Sequence, residues 1–556
     1  MKNLPIRKRT ILAVAVLLAA AAILFFAYGF YVGRFQVFPY DKIVYLAKSL
    51  NRTVKVARQG ESGYVESQLA AQRSPATQVG VKQSLLETAL LPLTVRTVDL
   101  RSAAPFPMGA GSLARESDHL LLLDRLGRIY SYRDDKLTPL ALPAVPNHID
   151  KYILKSERQG GLDRDTFRTH TIAYDAKRST LYVSFEEYAS PAANRFGVAA
   201  LAVDPQSFAA RGEWKTIYES SDTNSREGFG LAGGGKLLVS NDTLYFSIGD
   251  YGLYRGADRR LDAAQDPASP FGKIHAYDLV SGKLTVVSSG HRNTQGLVVT
   301  RDGELLNVEH GPQGGDEINN IRQGGNYGWP LETYGTGYGA YTWPLQEKAS
   351  DANLLPPLFA FVPSIGTSSI VQLQGFHERW DGDLLVGSLK GQSLYRLKLV
   401  SGRIVFSEPI WIGHRIRDIV QIGARLYLLT DDALMLEVSV DSAQLARNVR
   451  SVDEAFSGAV EKCMVCHHFG ETNPTQMAPT LSNLNGRKVA GDSFARYSPA
   501  LRGVQGNWSA DRLAQFIADP DKFAPGTAMP KIALSAGEIK EVVDLLTGEG
   551  GPAGRD

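Results

Sequence analysis

Cys463-Met464-Val465-Cys466-His467 holds the only two cysteines in the 556-residue chain. With no third thiol, a disulfide framework and a four-thiolate zinc or iron–sulfur site both lack their ligands. Two thiols at this spacing followed directly by His match a c-type haem attachment site. The thiols would form thioethers with the two haem vinyl groups, and His467 would meet the iron from one face. A redox dithiol is the competing reading. It usually opens a helix behind a βαβ pattern, and no such pattern stands here.

From this motif to the C-terminus the chain resembles a class I cytochrome c. The residues carrying the resemblance are Ala478-Pro479-Thr480-Leu481, Gly486-Arg487, Tyr497-Ser498, Trp508, the run Leu513–Pro520, and Pro525-Gly526-Thr527-Ala528-Met529-Pro530. The resemblance implies an all-α domain over residues 446–556 with one covalent haem c, held by Cys463 and Cys466 and ligated by His467 and Met529. A thioether ligand favours Fe(II) and suits an electron acceptor. Met477 and His468 are the rival ligands. Apolar Ile539, Val542, Val543, Leu545 and Leu546 recur at helical spacing and predict a terminal helix over Ala536–Thr547.

At the other end, residues 1–10 carry Lys2, Arg7, Lys8 and Arg9, and Ile11–Val32 then runs 22 residues without a charge. That length spans a hydrocarbon core of about 30 Å as a helix. The basic flank predicts a cytoplasmic N-terminus, a single-pass anchor over 11–32 in the inner membrane, and the bulk of the chain in the periplasm. A cleaved signal peptide is the alternative, but its apolar stretch typically runs only about 7–15 residues. Haem c is attached outside the cytoplasmic membrane in bacteria, which agrees with this topology.

The composition of 44% hydrophobic and 21% charged residues is that of globular protein. The 60 basic residues are scattered among 58 acidic ones, so no nucleic-acid footprint is expected. Residues 33–93 read as a linker or small helical lead-in. From 94 to 445 short strands rich in Leu, Val, Ile and Tyr alternate with Gly, Asp and Asn. Leu120–Tyr132, Thr180–Glu186, Thr243–Gly249, Glu304–Glu309, Asp383–Ser388 and Arg425–Thr430 are similar strand cores. Six units suggest an all-β six-bladed propeller, with a pair of sandwiches as the alternative.

Within this region lie Gly290-His291-Arg292-Asn293-Thr294-Gln295-Gly296-Leu297, Glu309-His310-Gly311-Pro312-Gln313-Gly314-Gly315-Asp316-Glu317-Ile318-Asn319 and Gly324-Gly325-Asn326-Tyr327-Gly328-Trp329-Pro330. With Ser388-Leu389-Lys390 and His414-Arg415-Ile416-Arg417-Asp418 they resemble the soluble quinoprotein glucose/aldose dehydrogenases, propellers that use pyrroloquinoline quinone (PQQ) and Ca²⁺. PQQ carries three carboxylates, and Arg suits bidentate carboxylate recognition. The resemblance implies that Arg292 and Asn293 lie near the quinone and that Lys390, Arg415 and Arg417 hold the carboxylates. It further implies Ca²⁺ on the Gly311 and Pro312 carbonyls and at Asp316, with Ser364 as a further cofactor-pocket position. Hard carbonyl oxygens do suit that ion.

The family's catalytic His, one strand before an Ile-Gly-Asp turn, has no counterpart. Ile248-Gly249-Asp250 is present, but Gly228–Lys236 contains no His, and none occurs between His170 and His275. A general base commonly contributes about 10²–10⁴-fold. His170, His310 and Asp250 are the possible substitutes. The expectation is a membrane-anchored quinohaemoprotein that oxidises a sugar or other polyol and passes electrons through haem to a respiratory acceptor. The alternative is a catalytically degenerate propeller serving as a binding or redox-sensor module.

Overall fold

The computed structural model describes residues 28, 40–71, 81–103, 109, 111–117, 119–155, 167–190, 193–223, 232–253, 263–337, 353–445, 458–470 and 477–548. Apart from Tyr28, the predicted anchor over 11–32 lies outside them. Among the described residues no helix is long and apolar enough to cross a membrane.

Six sheets of four or five strands follow one another along the chain. Their innermost strands are Gly111–Glu116, Thr169–Asp175, Gly234–Ser240, Thr294–Val299, Thr367–Gln372 and Ile416–Ile422. Each touches the next and the last touches the first, so the sheets close as a six-bladed β-propeller and the sandwich alternative falls. Closure is made by hydrogen bonds between distant parts of the chain. Pro92–Asp99 pairs antiparallel with Leu434–Val440, placing Leu93 opposite Val440 and Asp99 opposite Leu434. Lys82–Glu87 adds a fifth strand outside it. Residues 82–93, read from the sequence as part of a lead-in, therefore already contribute to the sixth blade. Before them Tyr40–Ala71 is helical with a break at Gly60, where φ is 75°. Val56, Tyr64, Val65 and Leu69 of this helix pack with Leu126, Tyr152, Ile153, Phe167 and Tyr188 of the first two blades.

The predicted strand cores fall on the second strands of the blades, for a physical reason. A second strand is covered on both faces by neighbouring blades, so its sequence is a continuous apolar run rather than an alternation. Leu305–Glu309 and Leu384–Ser388 are buried at every position. The exception is Leu120–Tyr132, which is a hairpin of His119–Asp124 and Ile129–Arg133. Its apolar character continues across a tight turn in which Asp124 Oδ1 accepts the Leu126 and Arg128 N–H groups.

Beyond the propeller, five short helices gather one apolar cluster. The predicted helix Ala536–Thr547 is present with those bounds. Ser535 and Glu538 cap its N-terminus reciprocally, and Gly548 ends it in the left-handed conformation. Its Val542, Val543 and Leu546 face Val460, Cys463, Leu513, Phe516 and Trp508 across the cluster.

Candidate functional site

Cys463 lies near the end of the helix Gly458–Met464, and the chain turns sharply after it, with Cys466 and His467 N–H groups both returning to the Cys463 carbonyl. Burial pushes both thiols up and the imidazole down, which leaves His467 neutral. His467 Nδ1 is 2.8 Å from the Pro479 carbonyl. A carbonyl can only accept, so Nδ1 carries the proton and Nε2 keeps its lone pair for a metal. Met529 is partly buried against the apolar cluster that contains Cys463. Met477 is 40% exposed. His468 is fixed beside Thr480 by a main-chain bridge.

In the propeller, the starts of all six innermost strands surround one polar cavity of about 30 Å³, lined by Gly111, His170, Gly234, Gln295, Ser368 and Arg417 among others. Asp418 is the hub beneath it. It accepts from Lys236 Nζ at 2.8 Å, Ser112 Oγ at 2.9 Å and Ser369 Oγ at 2.8 Å, joining four blades through one buried carboxylate. Burial opposes its charge, but Lys236 and these donors outweigh burial and hold it below the usual carboxylate range.

Around this axis the predicted residues form a connected set. The Arg292 guanidinium donates to the Gly311 carbonyl at 2.9 Å and lies over the Trp329 ring. Asn293 Oδ1 accepts from Gly234 N and Gln295 Nε2, and its amide faces His310 Nδ1. His310 Nε2 is 2.5 Å from the Thr367 carbonyl, so both ring nitrogens are engaged and the residue orients Asn293. Arg415 and Arg417 share Asp431, at 2.8 and 2.7 Å. Burial pushes Asp431 up, yet the two guanidiniums keep it below its ordinary value. Lys390 is exposed, its N–H donates to the Ile365 carbonyl, and its side chain has no ion pair among the described residues.

Two assignments change. Asp316, expected beside Ca²⁺, is saturated: Oδ1 accepts Gly311 N and Ser364 Oγ, and Oδ2 accepts the N–H groups of Ile365, Gly366 and Thr367. Two carboxylate oxygens offer about four lone-pair sites, so five donors leave none for a metal and Asp316 is a clamp on the carbonyl turn. Gly311 belongs in that turn because a Cβ there would lie 2.2 Å from the Gly315 carbonyl. Asp250, expected in catalysis, is buried, with Oδ1 accepting Gly252 N and Oδ2 accepting Trp329 Nε1 at 2.7 Å. Burial raises its pKa to about 6 against the pull of Arg292. It holds Trp329 under Arg292 rather than meeting a ligand.

Residues 106–436 match the family model described as glucose/sorbosone dehydrogenase, which is more than half of the chain. The chain belongs to the glucose/sorbosone dehydrogenase family. It is 30% identical over 241 residues to the quinoprotein glucose dehydrogenase B of Acinetobacter calcoaceticus, covering 33% of this chain and 49% of that one. A cytochrome c homolog of Rickettsia bellii is 37% identical over 86 residues, covering 16% of this chain and 49% of that protein. The chain thus spans about half the length of each of these relatives. A solved glucose dehydrogenase structure shares the propeller fold at a TM-score of 0.52 and 24% identity, over 62% of this chain and 99% of that one.

This dehydrogenase-family propeller departs from the expected pattern in where its channel histidine comes from. A Cβ on Gly233 would lie 2.8 Å from His170 Cε1 and 2.9 Å from the Tyr251 hydroxyl, and one on Gly235 would lie 2.5 Å from His170 Cβ. The imidazole of the second blade therefore rests on the glycine loop that lacks a histidine of its own. His170 Nε2 has no hydrogen-bond partner among the described residues, and Glu186 stands 4.0 Å away. Burial and the nearby Arg168 lower its pKa to about 3, so the ring is neutral near pH 7. Arg168, Lys236 and Gln295 also line the cavity without having been singled out for it. In the sequence Lys236 is only a charge inside an apolar strand and Asp418 only the end of a quoted motif, and neither pattern identifies its partner.

Proposed function

We propose that the chain is a quinohaemoprotein dehydrogenase that oxidises a sugar or other polyol hydroxyl at the propeller mouth and passes the electrons to haem c on the same polypeptide. One observation carries the reading. A mouth collecting Arg292, Lys390, Arg415 and Arg417 around a carbonyl turn is joined in one chain to a haem-attachment motif whose histidine already has its outer nitrogen tied to Pro479. PQQ, when bound, would supply a two-electron quinone acceptor, and haem would supply a one-electron carrier. Arg415, Arg417 and Lys390 suit the carboxylates of such a ligand. The Gly311 and Pro312 carbonyls would hold Ca²⁺, the first of them already accepting from Arg292 through one of its two lone pairs. The residues' own work is to orient the ligand, through Asn293 and His310, and to take a proton. His170 is the remaining candidate for that proton, since Asp250 and His310 are committed elsewhere. Its cavity exceeds the roughly 10–15 Å³ that one water needs, so a water can relay between the ring and the mouth. The anchor over 11–32 would hold the whole assembly on the periplasmic face of the membrane, next to a respiratory acceptor.

With PQQ and Ca²⁺ supplied, aldoses and polyols are expected to reduce the haem in single turnover, and removing Ca²⁺ is expected to stop it. Failure of PQQ to bind at all rules out the quinoprotein mechanism. Binding without reduction by any sugar or polyol favours the sensor alternative. For the haem, Met529→Ala should abolish the far-red sulfur-to-iron band and lower the potential, while Met477→Ala should leave both in place. A band lost only in the second variant reassigns the ligand.

A further inference from the structure

Between the propeller wall and the haem motif lies an apolar cleft of about 540 Å³. One side is Val465, Cys466, His468 and Met477; the other is formed by the strand Arg403–Trp411 and the segment 86–89. Trp411 is 59% exposed there, an unusual expense of apolar area for a surface strand. It is also tied to both cation-bearing loops of the mouth. Trp411 pairs with Ser393 in the sheet, and the N–H groups of Ile412 and Gly413 just after it both donate at 3.0 Å to the Gln392 carbonyl, two residues beyond Lys390. The turn folds back at Gly413, where φ is 84° and a Cβ would lie 3.3 Å from the Trp411 ring. Arg415 follows four residues after Trp411, at most about 14 Å along a fully extended chain.

We propose that this cleft is where electrons cross from the propeller to the haem, and that Trp411 is the propeller's contact on that route. The inference rests on the quinohaemoprotein reading and adds its internal wiring. Oxidation of one CH–OH to C=O releases two electrons and two protons. Bound PQQ would accept both electrons and haem would carry them off one at a time, an external acceptor reoxidising it between transfers, with the protons going to solvent. Trp411 stays in its ordinary oxidation state and bridges the gap between cation loops and thioether edge.

Two readouts test this in the full haem-loaded chain. In PQQ-free protein the Trp411 indole N–H resonance, identified by its loss in Trp411→Phe, should shift between ferric and ferrous haem. An indole insensitive to the haem state overturns the placement. With PQQ present, Trp411→Ala should lose most of the substrate-driven haem reduction rate, while Trp411→Phe keeps it and neither changes PQQ affinity or the haem spectrum. A Trp411→Ala protein that reduces haem at the wild-type rate overturns the route. If wild type does not bind PQQ, the functional reading has failed instead, and the resonance test of the cleft still stands.

Discussion

His170→Gln is expected to slow substrate-driven reduction of the bound quinone by roughly 10²-fold, the lower end of what a general base contributes. The lower end applies because a base is most effective when its pKa lies near the working pH, and His170 is held at about 3 by burial first and Arg168 second. The same shift fixes the pH dependence. The imidazole stays unprotonated from pH 8 to pH 5, so the wild-type rate should not fall on the acid side across that window. The folded pKa lies below the unfolded value of about 6.5, so the unfolded chain binds the extra proton, and stability present above pH 6.5 is lost as the pH falls toward 3. His170→Gln removes that acid-side loss. Glu186, 4.0 Å from Nε2, and Tyr251 are the other titratable groups facing the ring. A His170→Gln enzyme with a wild-type rate and an unchanged acid limb would return the base to an unassigned group.

Asp316→Ala should cost roughly 3–5 kcal/mol in the propeller's unfolding transition, followed by urea titration. The variant strips the acceptor from four backbone N–H groups. Those of buried Ile365 and Thr367 cannot turn to water, and each such orphan costs about 1–3 kcal/mol. The same residue joins the Gly311 turn to the loop that runs through Ser364 to Thr367, so PQQ binding should disappear with it. The haem spectrum should be unchanged, because no haem-site residue takes part in the clamp. A loss below about 1 kcal/mol would mean that the turn is held by its own glycines.

What could be read from the sequence alone was chemistry and burial that are local in the chain. Cys463, Cys466 and His467 are covalent neighbours, so their spacing specifies a haem motif wherever the domain sits. The second strands of the blades announce themselves because both their faces are buried, and the helix Ala536–Thr547 because its apolar residues repeat with the helical period. Four cations of the mouth were recognisable because they lie in ordered motifs. Tertiary structure decided the rest, since it depends on contacts between residues far apart in sequence. Only ring closure puts residues 93–99 beside 434–440, with 82–87 paired outside them, and makes a lead-in part of a blade. Only the neighbouring blade's packing brings His170 onto Gly233 and Gly235, more than sixty residues later. A carboxylate's role is set by how many donors reach it: five fix Asp316 as a clamp, and a tryptophan indole turns Asp250 inward. No local pattern encodes that count, because the donors arrive from other turns of the chain.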